Sequence, residues 1–303
     1  MSNDTRFPPL AGWEPTRKTL HLYSNVIGVV PRAHAQFHPK WWHISLKVQP
    51  DGLTTDSIPL PGGGVFSLKM DLRRHDIVLV ASRGVEQRWS MTRGTSATAL
   101  GNQALAAVAE LGLSGDYARQ KFENDEPRLY DPAAAERFLT ALVSADKILK
   151  QHRASLKGQV GPVQLWPHGF DIAFEWFGTR LVQHDEKGKM QELPAQINFG
   201  FYPGEPIYFY ANPWPFEKEK LVQHPLPGGA RWHDQGWQGT MLPYAEVVND
   251  PGAEERLLAY YRAVYDIASP ALLAEELELE DIQACLAYAC DVLRNEKVIS
   301  LEV

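Results

Sequence analysis

Eight aromatic residues fall between Phe199 and Phe216: Phe199, Phe201, Tyr202, Tyr208, Phe209, Tyr210, Trp214 and Phe216. Strand alternation sets Tyr208, Tyr210 and Asn212 on one face, opposite Ile207, Phe209 and Ala211. The preceding run likewise sets Asn198 and Tyr202 opposite Ile197, Phe199 and Phe201. Two adjacent strands then each carry one apolar face and one polar-aromatic face. Rings with an apolar body and a polar tip suit a pocket for a planar or sugar-like ligand. The plainer alternative is that aromatics are good strand residues whose hydroxyls reach water.

Asp171 and Glu175 share one face of a strand in Phe170-Asp171-Ile172-Ala173-Phe174-Glu175-Trp176. Four residues of strand span about 13 Å, beyond the roughly 5 to 9.5 Å of paired glycosidase carboxylates, so the two do not act as such a pair. Asp171, close behind His168 and Gly169, is the candidate general acid or base. The competing role is to tie down the turn before the strand. Among the ten histidines, His34 and His38 have the i, i+4 spacing of metal ligands on a helix. Pro31 and Pro39 bracket them and no HExxH accompanies them, so no metal site is expected. His43 and His168 each lie beside a tryptophan at a strand entrance and join Asp171 as candidate catalytic residues. Trp42, Tyr202, Tyr208, Tyr210 and Asn212 are the candidate ligand-binding residues. No GxSxG elbow occurs, and Pro61-Gly62-Gly63-Gly64 is followed by a strand rather than a helix, so it reads as a hairpin loop and not a phosphate cradle. No motif specifies a cofactor.

The elements that must position these residues follow from periodicity. Leu20, Tyr23, Ile27 and Val30 lie on one helical face after Trp13-Glu14-Pro15, and Pro31 and Pro39 interrupt the pattern. Alternation from Trp41 to Val48 predicts a strand, followed by strands over 65–72, 77–82 and 85–91 and a helix over 95–111. A second cycle starts at Asp131-Pro132, an N-cap with proline in the first turn, and its helix carries Phe138, Leu142, Ala145 and Leu149. Strands over 163–166, 169–177, 196–202, 206–211 and 237–241 follow, then helices over 243–248 and 253–268. The expected fold class is α+β with antiparallel sheets, in two similar halves each ordered helix, strands, helix. The halves are residues 1–114 and 115–274, packed as one unit. Residues 275–303 read as an appended amphipathic helix with Ile282, Leu286, Ala289 and Leu293 on its apolar face.

Of the 303 residues, 44 % are hydrophobic and 22 % charged, a balance that excludes general disorder. No apolar run approaches the roughly 18 residues of a membrane span, and the first nine residues have no signal-peptide pattern. Cys285 and Cys290 are the only cysteines, which fits a reducing cytoplasm. The net charge of −7 argues against nucleic acid as a partner. Residues 275–303 hold eight acidic and two basic side chains and so account for −6 of it. The case against nucleic acid therefore rests on the lack of a basic cluster in an almost neutral body.

Several residue sets together suggest a family: Trp42-His43, Gly52-Leu53-Thr54-Thr55, Phe66 with Asp71 and His75, Gly169-Phe170-Asp171, Gly200-Phe201-Tyr202-Pro203-Gly204, Tyr208-Phe209-Tyr210-Ala211 and Leu242-Pro243-Tyr244. In this order, from about Trp13 to about Leu273, they resemble the bacterial domain-of-unknown-function family 5996. The resemblance implies a bacterial cytosolic setting and a functional grouping of His43, His168, Asp171, Tyr202, Tyr208 and Tyr210, with no assigned activity. The run Leu277-Glu278-Leu279-Glu280-Asp281-Ile282-Gln283-Ala284-Cys285-Leu286-Ala287-Tyr288-Ala289 is similar to the last helix of family 433, antitoxin-like proteins with a small winged or helix-turn-helix core. The strand, helices and Gly-Thr-Arg motif that precede it there are missing, so DNA binding does not carry over. The leading expectation is a cytosolic protein binding a small polar or planar molecule in an aromatic cleft, with enzymatic use of that cleft left open. The alternative is a non-catalytic interaction protein that self-associates, or meets a toxin-like partner, through residues 275–303.

Overall fold

A computed structural model describes residues 6–186 and 188–274 of the chain. Helix α1 (Glu14–His34) starts with an acidic residue and a proline in its first turn and ends on Arg32 and His34, the charge order that suits its dipole. Its stripe of Leu20, Tyr23, Ile27 and Val30 is fully buried. The first sheet holds β1 (Lys47–Gln49), β2 (Gly52–Thr54), β3 (Ile58–Pro59), β4 (Val65–Asp71), β5 (Asp76–Ala81) and β6 (Glu86–Ser90). Its order is β1-β2-β4-β5-β6 with β3 also on β4, every pair antiparallel. Helix α2 (Ala97–Glu110) follows, capped by the Ser96 hydroxyl.

The second half repeats this sequence of elements. Helix α3 (Pro132–Ser155) is capped by Asp131, whose carboxylate accepts from the Ala133 N–H. The second sheet holds β7 (Gln159–Val160), β8 (Gln164–Trp166), β9 (Asp171–Glu186), β10 (Lys189–Tyr202), β11 (Tyr208–Trp214), β12 (Arg231–His233) and β13 (Gly239–Pro243), with the short α4 (Lys218–Leu221) after β11. The order is β12-β13-β11-β10-β9-β7, with β8 also on β9 and all pairs antiparallel. Helix α5 (Ala253–Ala268) closes the half. The class is α+β with two antiparallel sheets.

The inner face of the second sheet is apolar and fully covered. Ile172, Phe174, Ile197, Phe199, Phe201 and Phe209 are buried with residues of α3 and α5 in one core cluster that extends from Phe7 to Leu272 and includes both sheets. Burying each such aromatic contributes about 1.5–3 kcal/mol. The sheets meet where Leu46 and Leu165 exchange both backbone hydrogen bonds at 2.8 Å. Beside that bridge, Gln164 Oε1 accepts from Ser45 Oγ at 2.6 Å and from Lys47 Nζ at 2.8 Å.

Three expectations are corrected. Residues 41–46 form no strand: Trp41 is left-handed at φ 60° and Trp42–Ile44 make a 3-10 turn. The alternation there reflects ring stacking within a turn, His38 on Trp42 at 4.3 Å and Trp41 on His43 at 5.5 Å. Pro31 does not end α1, which continues to His34. Strands β9 and β10 run well past the expected 177 and 196 into a long hairpin, most of whose residues are exposed or half-buried and whose sequence shows no alternation of apolar and polar residues. The appended helix and both cysteines lie outside the described residues.

Candidate functional site

The outer face of the second sheet carries the polar side chains. The turn from β8 to β9 is closed by a 2.7 Å hydrogen bond from the Phe170 N–H to the Trp166 carbonyl, with Phe170 left-handed at φ 56° and its ring fully buried. This turn pairs Trp166 with Asp171 and exposes His168 at the tip. A side chain at 169 would run into Asp171 Oδ1, so Gly169 gives the carboxylate its place against the turn. The turn is anchored on α1: His21 Nε2 lies 3.1 Å from the His168 carbonyl oxygen, and a Cβ at Gly28 would come within 2.9 Å of Pro167.

Tyr210 approaches Asp171 from two strands away. Register pairs Gly200 with both Tyr210 on β11 and Ala173 on β9, so a strip of minimal side chain crosses the sheet there. The Tyr210 ring lies flat over Gly200, where an added Cβ would stand 2.5 Å from the hydroxyl oxygen. Its hydroxyl then donates to Asp171 Oδ2 at 2.5 Å. Glycine inside a strand marks such a close approach.

These residues line a cavity of about 260 Å³ with Trp166, His168, Asp171, Ala173, Glu175, Asn198 and Tyr210 on its walls. Glu175 is in register with Asn198, and Asn198 with Asn212, which gives a row of acceptors across three strands. Oδ1 of both asparagines is buried and has no hydrogen-bond partner among the described residues. Glu175 Oε2, also buried and unpartnered, is tucked over Gly161 beside the Trp42 indole. Burial pushes the Asp171 carboxyl above the usual carboxylate range, opposed by the Tyr210 hydroxyl and the nearby His168. Burial also raises Glu175, opposed by Trp42, Lys40 and Lys47. Burial and the Asp171 charge hold the Tyr210 phenol well above its ordinary value, so it stays protonated as a donor. A carboxyl with a raised pKa and a fixed donor can exchange a proton with a ligand in the cavity.

The structure brings His168, Asp171 and Tyr210 together. Tyr208 lies edge-on to Tyr210 at 6.2 Å, with Tyr202 5.3 Å from it on one side and Trp237 stacked at 5.7 Å. These three rings cluster beyond Tyr210 and do not line the cavity. Asn212 sits on the same face, and Trp42 stands behind Glu175 rather than on the cavity wall. His43 is not brought to the group: its Nδ1 accepts from the His38 N–H and its ring packs on Phe37 and Trp41, none of which lines the cavity. Sequence reasoning set Glu175 aside as a pairing partner, and it missed Trp166 and the enabling Gly200. The signal available for Gly200 was a lone glycine between two buried phenylalanines. Among the described residues no three His, Cys, Asp or Glu side chains are grouped to hold a metal ion.

A family model described as "Family of unknown function (DUF5996)" matches residues 7–280. No curated protein and no solved structure matches the chain.

Proposed function

We propose a function from the site alone for this chain, which belongs to the DUF5996 family: it binds a small polar, partly planar molecule on the outer face of the second sheet. The observation that carries this reading is the Tyr210–Asp171 hydrogen bond within a cavity that also holds Glu175, Asn198, His168 and the Trp166 ring. Carboxylates held up by desolvation in a cleft, as Asp171 and Glu175 are, cluster at functional sites. In this reading the Trp166 ring flanks the ligand's plane, Asn198 and Glu175 accept from it, and Asp171 gives or takes a proton. His168, at the exposed tip of the turn, is the group that solvent reaches first. The two cysteines and the absence, among the described residues, of any helix long and apolar enough to cross a membrane support a reducing cytoplasm as its setting.

The test is a thermal-shift screen of small polar compounds against the full chain, repeated with Asp171→Asn and Tyr210→Phe. The expected result is at least one compound class that raises the melting temperature of the wild type and fails to do so in Asp171→Asn. Ligands that stabilise both variants as well as the wild type would place binding elsewhere and overturn the reading.

A further inference from the structure

Trp166 and His168 also form a wall of a second cavity, of about 360 Å³, on the α1 side of the Pro167 turn. Its floor is apolar, with Val29 and Ile44, and its rim carries Arg32, Lys40 and Lys121. No carboxylate lines it, and none of the three cations makes an ion pair among the described residues. The Arg32 guanidinium lies 4.7 Å over the Trp41 ring, which leaves its N–H edges free. Trp41 itself is fixed by its left-handed backbone and by a 2.8 Å bond from its N–H to the His38 carbonyl. The Lys40 ammonium lies 3.7 Å over the Phe177 ring and near Glu175, so Arg32 and Lys121 are the two like charges left at the rim, and an anion placed between them relieves their repulsion.

We propose that this groove binds a planar aromatic anion, with its ring between Trp41 and Trp166 and its carboxylate or phosphate held by Arg32 and Lys121. Arginine supplies a two-pronged donor for such a group, and the volume suits one or two fused rings. The inference goes beyond the Asp171 cavity and stands without it.

The test is calorimetric titration of the full chain with 2-naphthoate, 2-naphthamide and 2-naphthylmethylammonium. Naphthoate is expected to bind about tenfold or more tightly than the neutral amide, the worth of one charge-assisted contact, with the ammonium weakest. Added salt should weaken naphthoate and leave the amide unchanged. Replacing both exposed cations, Arg32→Met with Lys121→Met, should cost naphthoate about tenfold or more, whereas Asp171→Asn should not change it. Equal binding of the amide, or no effect of the double variant, overturns the proposal. Loss of naphthoate in Asp171→Asn but not in the double variant moves the ligand to the sheet cavity: the groove proposal then falls and the proposed function stands.

Discussion

Tyr210 on β11 donates its hydroxyl to Asp171 on β9 across the whole width of β10, and Gly200 is the residue beneath the ring. The bond is therefore a property of three strands held in register, and its weakest point is the glycine. Gly200→Ala puts a methyl group where the phenol lies, so either the ring lifts or the strands part. The expected cost is about 1–3 kcal/mol of stability, the range for an overpacked site. Tyr210→Phe strands the buried Asp171 carboxyl and should likewise cost about 1–3 kcal/mol. Urea unfolding of the two variants measures both losses. Gly200→Ala as stable as wild type would mean that the ring has room to move and that the Asp171 contact is not fixed.

Asp171 separates a binding role from a structural one. Its carboxyl is raised in the folded state, so the folded protein holds this proton above the unfolded value of about 3.9. Between that value and the higher folded pKa the folded state binds more protons than the unfolded state, and stability falls as pH rises. At neutral pH the carboxylate is thus a burden that Asn would relieve. Asp171→Asn should leave the protein as stable as wild type or more so at pH 7, and it should abolish the pH dependence due to this group. A melting temperature well below wild type at pH 7 would instead make Asp171 a strut of the turn.

Gln164 links the two sheets by accepting from both Ser45 and Lys47, and it is fully buried. Gln164→Leu keeps the volume and the Leu46–Leu165 bridge but removes an acceptor that Ser45 and Lys47 share. Ser45 Oγ still reaches the Trp42 carbonyl at 2.7 Å, and Lys47 Nζ still reaches Ser45 Oγ at 3.0 Å and Asp56 at 3.5 Å. The expected loss is therefore only about 1 kcal/mol, the net worth of the removed hydrogen bonds, as read by urea unfolding. A loss of about 3 kcal/mol or more, recovered by Lys47→Met in the same background, would show that Lys47 depends on Gln164 and not on Asp56.

What the sequence made legible was local and periodic. The two faces of β10 and β11 followed from alternation, and the opposition of Tyr210 and Asn212 to Phe209 and Ala211 is the one the register shows. Asp171 was legible as a carboxylate beside a glycine turn. What set the site's shape was not legible, because it depends on which strands are neighbours. Nothing in the spacing of 171, 200 and 210 brings them into one row until β9, β10 and β11 are paired in that order. The same cause misplaced His43, whose tryptophan neighbour resembled that of His168 while its backbone turned away at Trp41.

His152 extends this argument into the core, where sequence alone gave no hint of it. It lies on α3 at 2 % exposure, stacked on Tyr261 at 5.4 Å and edge-on to Phe199 at 4.6 Å, and its Nε2 has no partner among the described residues. Burial lowers its pKa from 6.5 to about 3, with a smaller push from Arg262. An unfolded chain takes up a proton at this ring below about pH 6.5, whereas the folded chain does not until about pH 3. Stability is therefore lost as pH falls through that window, at up to about 1.4 kcal/mol per pH unit for this one group. From pH 7 to pH 5 the loss should amount to roughly 2 kcal/mol. His152→Phe removes the titrating ring and keeps an aromatic in the stack, so its unfolding free energy should fall less over the same interval. Chemical denaturation of wild type and variant at the two pH values measures the difference directly. Parallel losses in the two proteins would mean that His152 is protonated in the native core, with Nε2 paired to a buried water.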